Sequence, residues 1–270
     1  MVELTHRNEE QTFEDICLHA NDFHVRQITL KDLFQSLREG YEDYGTKPSS
    51  IPLLFLFYAL FALVLTLFAL GQDMRYLLFP MAAGFTMIGP IAAIAFFAMS
   101  KRREQGQELR WRAAFNFIHT SSFAPILALT LLMSLLYLSW LFMAELIFFS
   151  LFESTMPTSM ADFVNQLFNT RHGGALIAYG NFVGLLFAFA AMALSIVAFP
   201  LALDKTVTSF TAVRVSIRAF MSNTLVLTVW GIIFVALMAV GAAVFLIGLA
   251  VALPVLGHAT WHLYRKLIVS

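Results

Sequence analysis

The sequence predicts an all-α, polytopic membrane protein whose six transmembrane helices form three hairpins, each preceded by an amphipathic helix on the cytoplasmic side. Three observations predict it. Hydrophobic residues make up 59% of the 270 and charged residues only 13%, a balance unlike that of a soluble domain. The apolar residues gather in runs of membrane-crossing length. Of the 17 Lys and Arg residues, 15 fall in the segments 1–50, 101–122, 200–222 and 265–270, which six crossings place on one side; Arg75 and Arg171 fall on the other.

The elements follow in order. Residues 1–27 read as a flexible acidic cytoplasmic tail, and residues 28–270 as the membrane domain. Ten of the 17 acids lie in the first 50 residues, and the net charge is zero, which excludes a basic nucleic-acid-binding surface. Within the first entry segment Thr29 and Asp32 have capping-box spacing, with Asp in place of the usual Glu or Gln, and Ile28 and Leu33 stand where a hydrophobic staple forms. Leu30, Leu33, Phe34, Leu37 and Tyr41 recur at helical spacing, and Gly45 and Pro48 end the run.

A helix needs about 20 apolar residues to cross roughly 30 Å of hydrocarbon. Spans are expected at about 51–70, 76–99, 123–149, 175–203, 224–241 and 244–264. No cleavable signal peptide precedes the first, which reads as an uncleaved signal anchor. Lys101, Arg102 and Arg103 stop the second span, and Asp204 and Lys205 end the fourth. The stretch 224–264 holds no carboxylate, Lys or Arg. As one helix it would measure about 60 Å, so it is expected to turn back near Gly241–Ala243. The positive-inside rule puts both termini in the cytoplasm of a bacterial inner membrane.

The second entry segment, 109–122, aligns Trp111, Phe115 and Ile118 beside Arg110, Arg112 and His119; the third aligns Phe210, Val213, Ile217, Phe220 and Met221 beside Arg214 and Arg218. Such helices lie in the interface, apolar face toward acyl chains and cations toward anionic headgroups. Trp111, Trp140, Trp261, Tyr76 and Tyr264 fall near span ends, where amphipathic rings prefer the headgroup zone. On the opposite side, 150–174 is expected to hold a short amphipathic helix with Asp162, Phe163, Leu167 and Phe168 at helical spacing.

Pro90 with Gly89, and Pro254 with Gly257, fall in the second and sixth spans, each proline 11 residues before a basic cluster; Pro200 occupies the returning span of the middle hairpin. Each removes a helix hydrogen bond and favours a kink. Helices broken at matching places in a repeat can mark a transport site, though kinks of this kind are also ordinary in membrane helices.

The densest polar constellation in any span is 254–266. His258 and His262 are four residues apart and share a helix face. Two imidazoles so placed can take a transition metal, or one can serve as an axial haem ligand, with His119 as a third candidate and Asp204 near the same membrane face. No acid accompanies them in the motif, and the lone Cys17 stands far away in the tail. The plainer reading is an interfacial anchor of His258, Trp261, His262, Tyr264 and Arg265. No cofactor is therefore expected. Glu145 is expected to snorkel to the outer interface, and Gly180 and Gly184 have GxxxG spacing, suited to an internal helix contact or a dimer. Phosphate-binding loops, nucleophile elbows and metalloprotease motifs are absent, so the sequence supports no enzyme chemistry.

The segment Ile88-Gly89-Pro90 through Ser100-Lys101-Arg102-Arg103-Glu104 with Gly106, and the closing Leu253-Pro254-Val255-Leu256-Gly257-His258-Ala259-Thr260-Trp261-His262-Leu263-Tyr264-Arg265, resemble a family of uncharacterised bacterial integral membrane proteins classed as a domain of unknown function. The resemblance extends over about residues 25–268. It implies a multi-helix inner-membrane protein with no established activity. Some relatives carry names pointing to terminal-oxidase subunits, but this chain lacks the dispersed intramembrane histidines that two haems and copper require. The expected role is a non-enzymatic scaffold, accessory or assembly component, in contact with membrane lipids and with a membrane-protein partner or a second copy of itself. The alternatives are a transporter or lipid-handling protein built on the proline-broken helices, and haem or metal binding through His258.

Overall fold

The computed structural model describes residues 20–46, 75–108, 116–153, 156–243 and 248–269. The expected span 51–70, most of the acidic tail and the core of the second entry segment lie outside the described residues. The architecture is α-helical: α1 (Leu30–Thr46), α2 (Leu78–Glu104), α3 (Phe123–Phe152), α4 (Met160–Asn169), α5 (Arg171–Ser195), α6 (Ala198–Asp204), α7 (Ser209–Ser222), α8 (Thr224–Ala243) and α9 (Leu249–Leu267). Two short strands, β1 (His24–Val25) and β2 (Ile268–Val269), pair antiparallel. Among the described residues, four helical stretches are long and apolar enough to cross a membrane: α2, α3, α5 continued through α6, and α8. The polar last turns of α9 keep it out of that set.

The chain divides into two compact units. The first comprises residues 1–48, 90–130 and 193–270; the second comprises 49–89 and 131–192.

In the first unit α1 starts as its sequence suggests. The Thr29 backbone N–H and hydroxyl both donate to Asp32 Oδ2 at 2.8 Å, completing one half of a capping box. Partial burial raises the Asp32 carboxyl, but these donors together with Arg26, 2.7 Å away, hold it below the usual carboxylate range. Ile28 and Leu33 are both buried, in the positions a staple requires.

The helix has one buried face and a separate exposed apolar row. Leu33, Ser36, Gly40 and Asp43 are buried, and the main partner of α1 is α9. Leu30, Phe34 and Tyr41 stay exposed. The approach to α9 needs glycine: a Cβ on Gly40 would sit 2.5 Å from the Ala259 nitrogen and 2.7 Å from the Val255 oxygen. On another side of α9, Gly257 lets the Phe96 ring close, 2.8 Å from where a Cβ would stand.

The β pair ties the two ends of the unit together, His24 opposite Val269 and Val25 opposite Ile268, with Arg26 N donating to Leu267 O at 2.8 Å. Asn223, the C-cap of α7, latches this strand. Its Oδ1 accepts from Ile28 N at 2.8 Å, and its Nδ2 donates to Arg26 O at 3.1 Å.

Three expectations are refined here. The span expected at 175–203 is interrupted, because α5 stops at Ser195 and α6 restarts at Ala198. Pro200 has no N–H to continue the ladder and its ring crowds the carbonyl four residues back. At the restart, Ser216 of α7 satisfies the backbone N–H of the α6 N-cap, its Oγ accepting from Val197 N at 3.2 Å. By contrast, α2 runs through Pro90 and α9 through Pro254 without interruption. The helix break therefore falls at Pro200, not at the other two prolines. The described part of the second entry segment is a 3₁₀ turn, Asn116–His119. Where a turn near Gly241–Ala243 was expected, α8 stays helical through Ala243, and residues 244–247 lie outside the described residues; a Cβ on Gly248 would stand 2.7 Å from Gly241 Cα.

In the second unit Trp140 is buried rather than interfacial, and its indole N–H donates to the Pro80 carbonyl at 2.8 Å. Gly84 and Gly184 make room for it, with Cβ positions 2.6 Å and 3.1 Å from its ring. Of the GxxxG pair, Gly184 thus serves an internal contact, while a Cβ on Gly180 would meet open space. Tyr76 stacks on Phe148 with centroids 4.1 Å apart and donates to Glu145 Oε1 at 3.2 Å, so Glu145 has a protein partner. The short helix α4 has Ser159 as N-cap, its Oγ accepting from Asp162 N at 3.1 Å. A hydrogen bond from the Thr158 backbone N–H leads the set that holds the Asp162 carboxyl below its usual range.

Candidate functional site: a polar network where α1, α2 and α9 meet

Helix periodicity brings the chemistry together. Asp43 and Glu39 are one turn apart on α1, Ser100, Arg103 and Glu104 close the end of α2, and His258, His262, Arg265 and Lys266 line the last turns of α9. Asp43 is the hub. Its Oδ2 accepts from Ser100 Oγ at 2.5 Å and faces His262 Nε2 at 2.9 Å, while its Oδ1 pairs with the Arg103 guanidinium. Burial alone would raise the Asp43 carboxyl; the hydrogen bonds from His262 and Ser100, with the charges of His262 and His258, outweigh it and hold the group below the usual carboxylate range.

His258 is buried, its Nδ1 2.8 Å from Ser100 Oγ and 3.8 Å from Asp43 Oδ2, and its ring meets Phe96 edge-on at 5.3 Å. Ser100 Oγ thus sits between Asp43 Oδ2 and the His258 ring, and the His258 tautomer sets which of Ser100 and His258 donates in their hydrogen bond. The grouping of Ser, His and Asp ties α1, α2 and α9 together.

A second branch leads outward. His262 Nδ1 lies 3.6 Å from Glu39 Oε2, and Lys266 Nζ pairs with Glu39 and donates to Ser36 Oγ at 3.2 Å. A third surrounds Asp204, whose Oδ2 accepts from the Tyr264 hydroxyl at 2.9 Å and whose Oδ1 is 3.2 Å from Lys101 Nζ. Arg265 joins these branches, 3.4 Å from Glu104 and 3.5 Å from Asp204, and Trp261 Nε1 donates to Glu104 Oε1 at 2.9 Å. An open cleft of about 540 Å³ lies over the network, bordered by Glu39, Asp43, Arg103, Glu104, His262 and Lys266.

Of the candidate residues read from the sequence, His258, His262, Trp261, Asp204 and Arg265 belong to this network. Trp261 and Tyr264 are buried inside protein, so the closing motif is a packed interior and not a lipid-facing anchor. Asp204, expected to end the fourth span, is paired with Lys101 across helices. His119 is exposed on its 3₁₀ turn, outside the network. Among the described residues, no three His, Cys, Asp or Glu side chains are grouped so as to hold a metal ion. Pro254 is buried in α9, and Pro90 is half-buried in α2, where the first unit resumes.

Sequence reasoning missed Asp43, Ser100, Arg103, Glu39 and Asn223. A signal for the first existed: Leu33, Ser36, Gly40 and Asp43 recur at spacings of three and four, a small-residue face beside the apolar stripe.

Comparison with curated proteins and with solved structures returns no match. The matched family covers less of the chain than the expected 25–268, reaching the Ser100–Glu104 cluster but ending before the closing motif. Over residues 78–204 the chain matches the model of a family described as predicted integral membrane protein (DUF2189), and this match together with the four apolar helical stretches makes it an integral membrane protein.

Proposed function

We propose that the protein is a non-enzymatic inner-membrane scaffold or accessory component, with both termini in the cytoplasm, and that the polar network is an interlock fixing α1 to the end of the membrane domain. The observation that carries this reading is the pairing of the network with itself. Asp43, Glu39, Glu104 and Asp204 are each matched to a cation of the same chain. His258 is engaged by Ser100, which is also hydrogen-bonded to Asp43. Charges arranged this way hold helices together; they do not present a group to a substrate.

Support for a helical partner comes from α5. Asn181 is exposed on a stretch apolar enough to cross a membrane, and its Nδ2 donates to Ile177 O at 2.7 Å, within its own helix. In hydrocarbon the rest of that carboxamide favours a partner helix, and Asn side chains are used in that way between membrane helices. A second copy of the chain can supply a matching carboxamide. Purification in mild detergent is expected to recover a defined homo-oligomer or a stoichiometric partner, weakened by Asn181→Leu. A partnerless monomer under all mild conditions contradicts the reading.

The transport alternative receives less support. Helices α2 and α9 continue through their prolines, and the break that does occur, before Pro200, is closed by Ser216.

A further inference from the structure

Helix α7 carries a surface that the interlock does not use. Its buried face, Thr211, Ala212, Val215, Ser216, Ala219 and Phe220, packs into the first unit. This splits the apolar row read from the sequence, because Phe220 turns inward while Phe210, Ile217 and Met221 remain exposed. At 100° per residue, Phe210, Arg214, Ile217 and Met221 fall within about 60° of one another on the helix surface. Arg214 lies at one edge of that arc and between Phe210 and Ile217 along the axis, its guanidinium carbon 5.6 Å from the centroid of the Phe210 ring. A cation framed by three exposed apolar side chains suits neither bulk water nor hydrocarbon. It suits the boundary between them, where the stem lies among acyl chains and the head reaches phosphate.

Two further observations say what covers the face. One is continuity: α7 ends at Ser222, Asn223 makes the corner, and Thr224 already begins α8, a helix of membrane-crossing length and composition. Leu225, in the first turn of α8, is 80% exposed, so the apolar surface carries on from one helix to the next. The corner is held by Asn223, which is buried and hydrogen-bonded to Ile28 and Arg26. The other is charge: Arg214 is a cation on a face with no acidic side chain, as α7 contains no Asp or Glu.

We infer that the Phe210–Arg214–Ile217–Met221 face of α7 docks on the membrane leaflet and that Arg214 binds the phosphate of an anionic phospholipid. The inference does not depend on the scaffold reading, because it concerns a face outside the network and needs no protein partner. It is tested on the full chain with Cys17→Ser and Ile217→Cys, labelled with bimane and reconstituted in nanodiscs of phosphatidylcholine and phosphatidylglycerol. Lipids brominated on the acyl chain are expected to quench the label, and aqueous iodide is not. Brominated phosphatidylglycerol is expected to quench about two- to five-fold more than brominated phosphatidylcholine at equal mole fraction, a preference lost in Arg214→Gln and kept in Arg214→Lys. Three results overturn it: quenching by iodide, which puts the face in water; protection from both quenchers, which puts protein over it; and equal quenching by the two lipids, which removes the headgroup preference. Size-exclusion profiles matching those of the unsubstituted protein verify that each variant is folded.

Discussion

Asp43 takes hydrogen bonds or ion pairs from Ser100 and Arg103 on α2 and from His262 on α9, so a single carboxylate joins three helices. Replacing it by Asn keeps the shape and removes the charge that three partners address. Breaking a buried pair of this kind is expected to cost about 3 kcal/mol, read as a lowered Tm in detergent. Ser100→Ala strips His258 Nδ1 of its partner inside the protein and is expected to cost about 1–3 kcal/mol in the same assay. The pH dependence follows from the sign of the Asp43 shift. Because the folded carboxyl is held below its usual range, its contribution is complete above the unfolded value of about 3.9 and is lost as pH falls through the lower folded value. Acid melts of the unsubstituted protein should therefore lose stability that Asp43→Asn lacks from the start; parallel pH profiles would contradict this. His258 and His262 were legible in the sequence because two histidines are conspicuous in an apolar helix. Asp43 was less so: only its place after Leu33, Ser36 and Gly40 on a small-residue face separates it from Glu39 and Glu42 in an acidic stretch, and the distant chain segments that fold over it reveal its role.

Helix positions were legible for the same reason that helices form, namely periodicity and apolar length. The mode of their contacts was not. Gly40 lies in a charged stretch and looks like a weak point of α1, yet it is where the helix touches α9 backbone to backbone. Gly40→Ala is expected to destabilise by about 1–3 kcal/mol, because the atoms it meets are main-chain and cannot swing away. Gly45→Ala, which meets nothing within 4 Å, is the matched control. It is expected to be neutral or stabilising by up to about 1 kcal/mol. The break between α5 and α6 makes a similar point. Pro200 was visible in the sequence, but the side chain that satisfies the interrupted ladder, Ser216, lies on the following helix, α7. Ser216→Ala leaves Val197 N–H without its acceptor and is expected to lower stability by about 1–3 kcal/mol.

At the scale of the whole chain, pairing of β1 with β2 places residues 24–25 beside 268–269. Chain ends joined in this way share one side of a membrane, so the number of crossings between them is even. The four described helical stretches of crossing length already give an even count. Impermeant maleimide should label a cysteine placed at Val164 in intact cells and label one at Glu42 or Lys205 only after permeabilisation; the opposite pattern would reverse the orientation.

The central claim is that the Asp43 network holds α1 on α9. Double electron–electron resonance between spin labels at Arg38→Cys and Val269→Cys, both exposed positions, in a Cys17→Ser background tests it most directly. A single narrow distance distribution is predicted for the intact network, broadening to a mixture when Asp43→Asn and His262→Gln are added. An unchanged narrow distribution in that variant would show that the helix is held by something else.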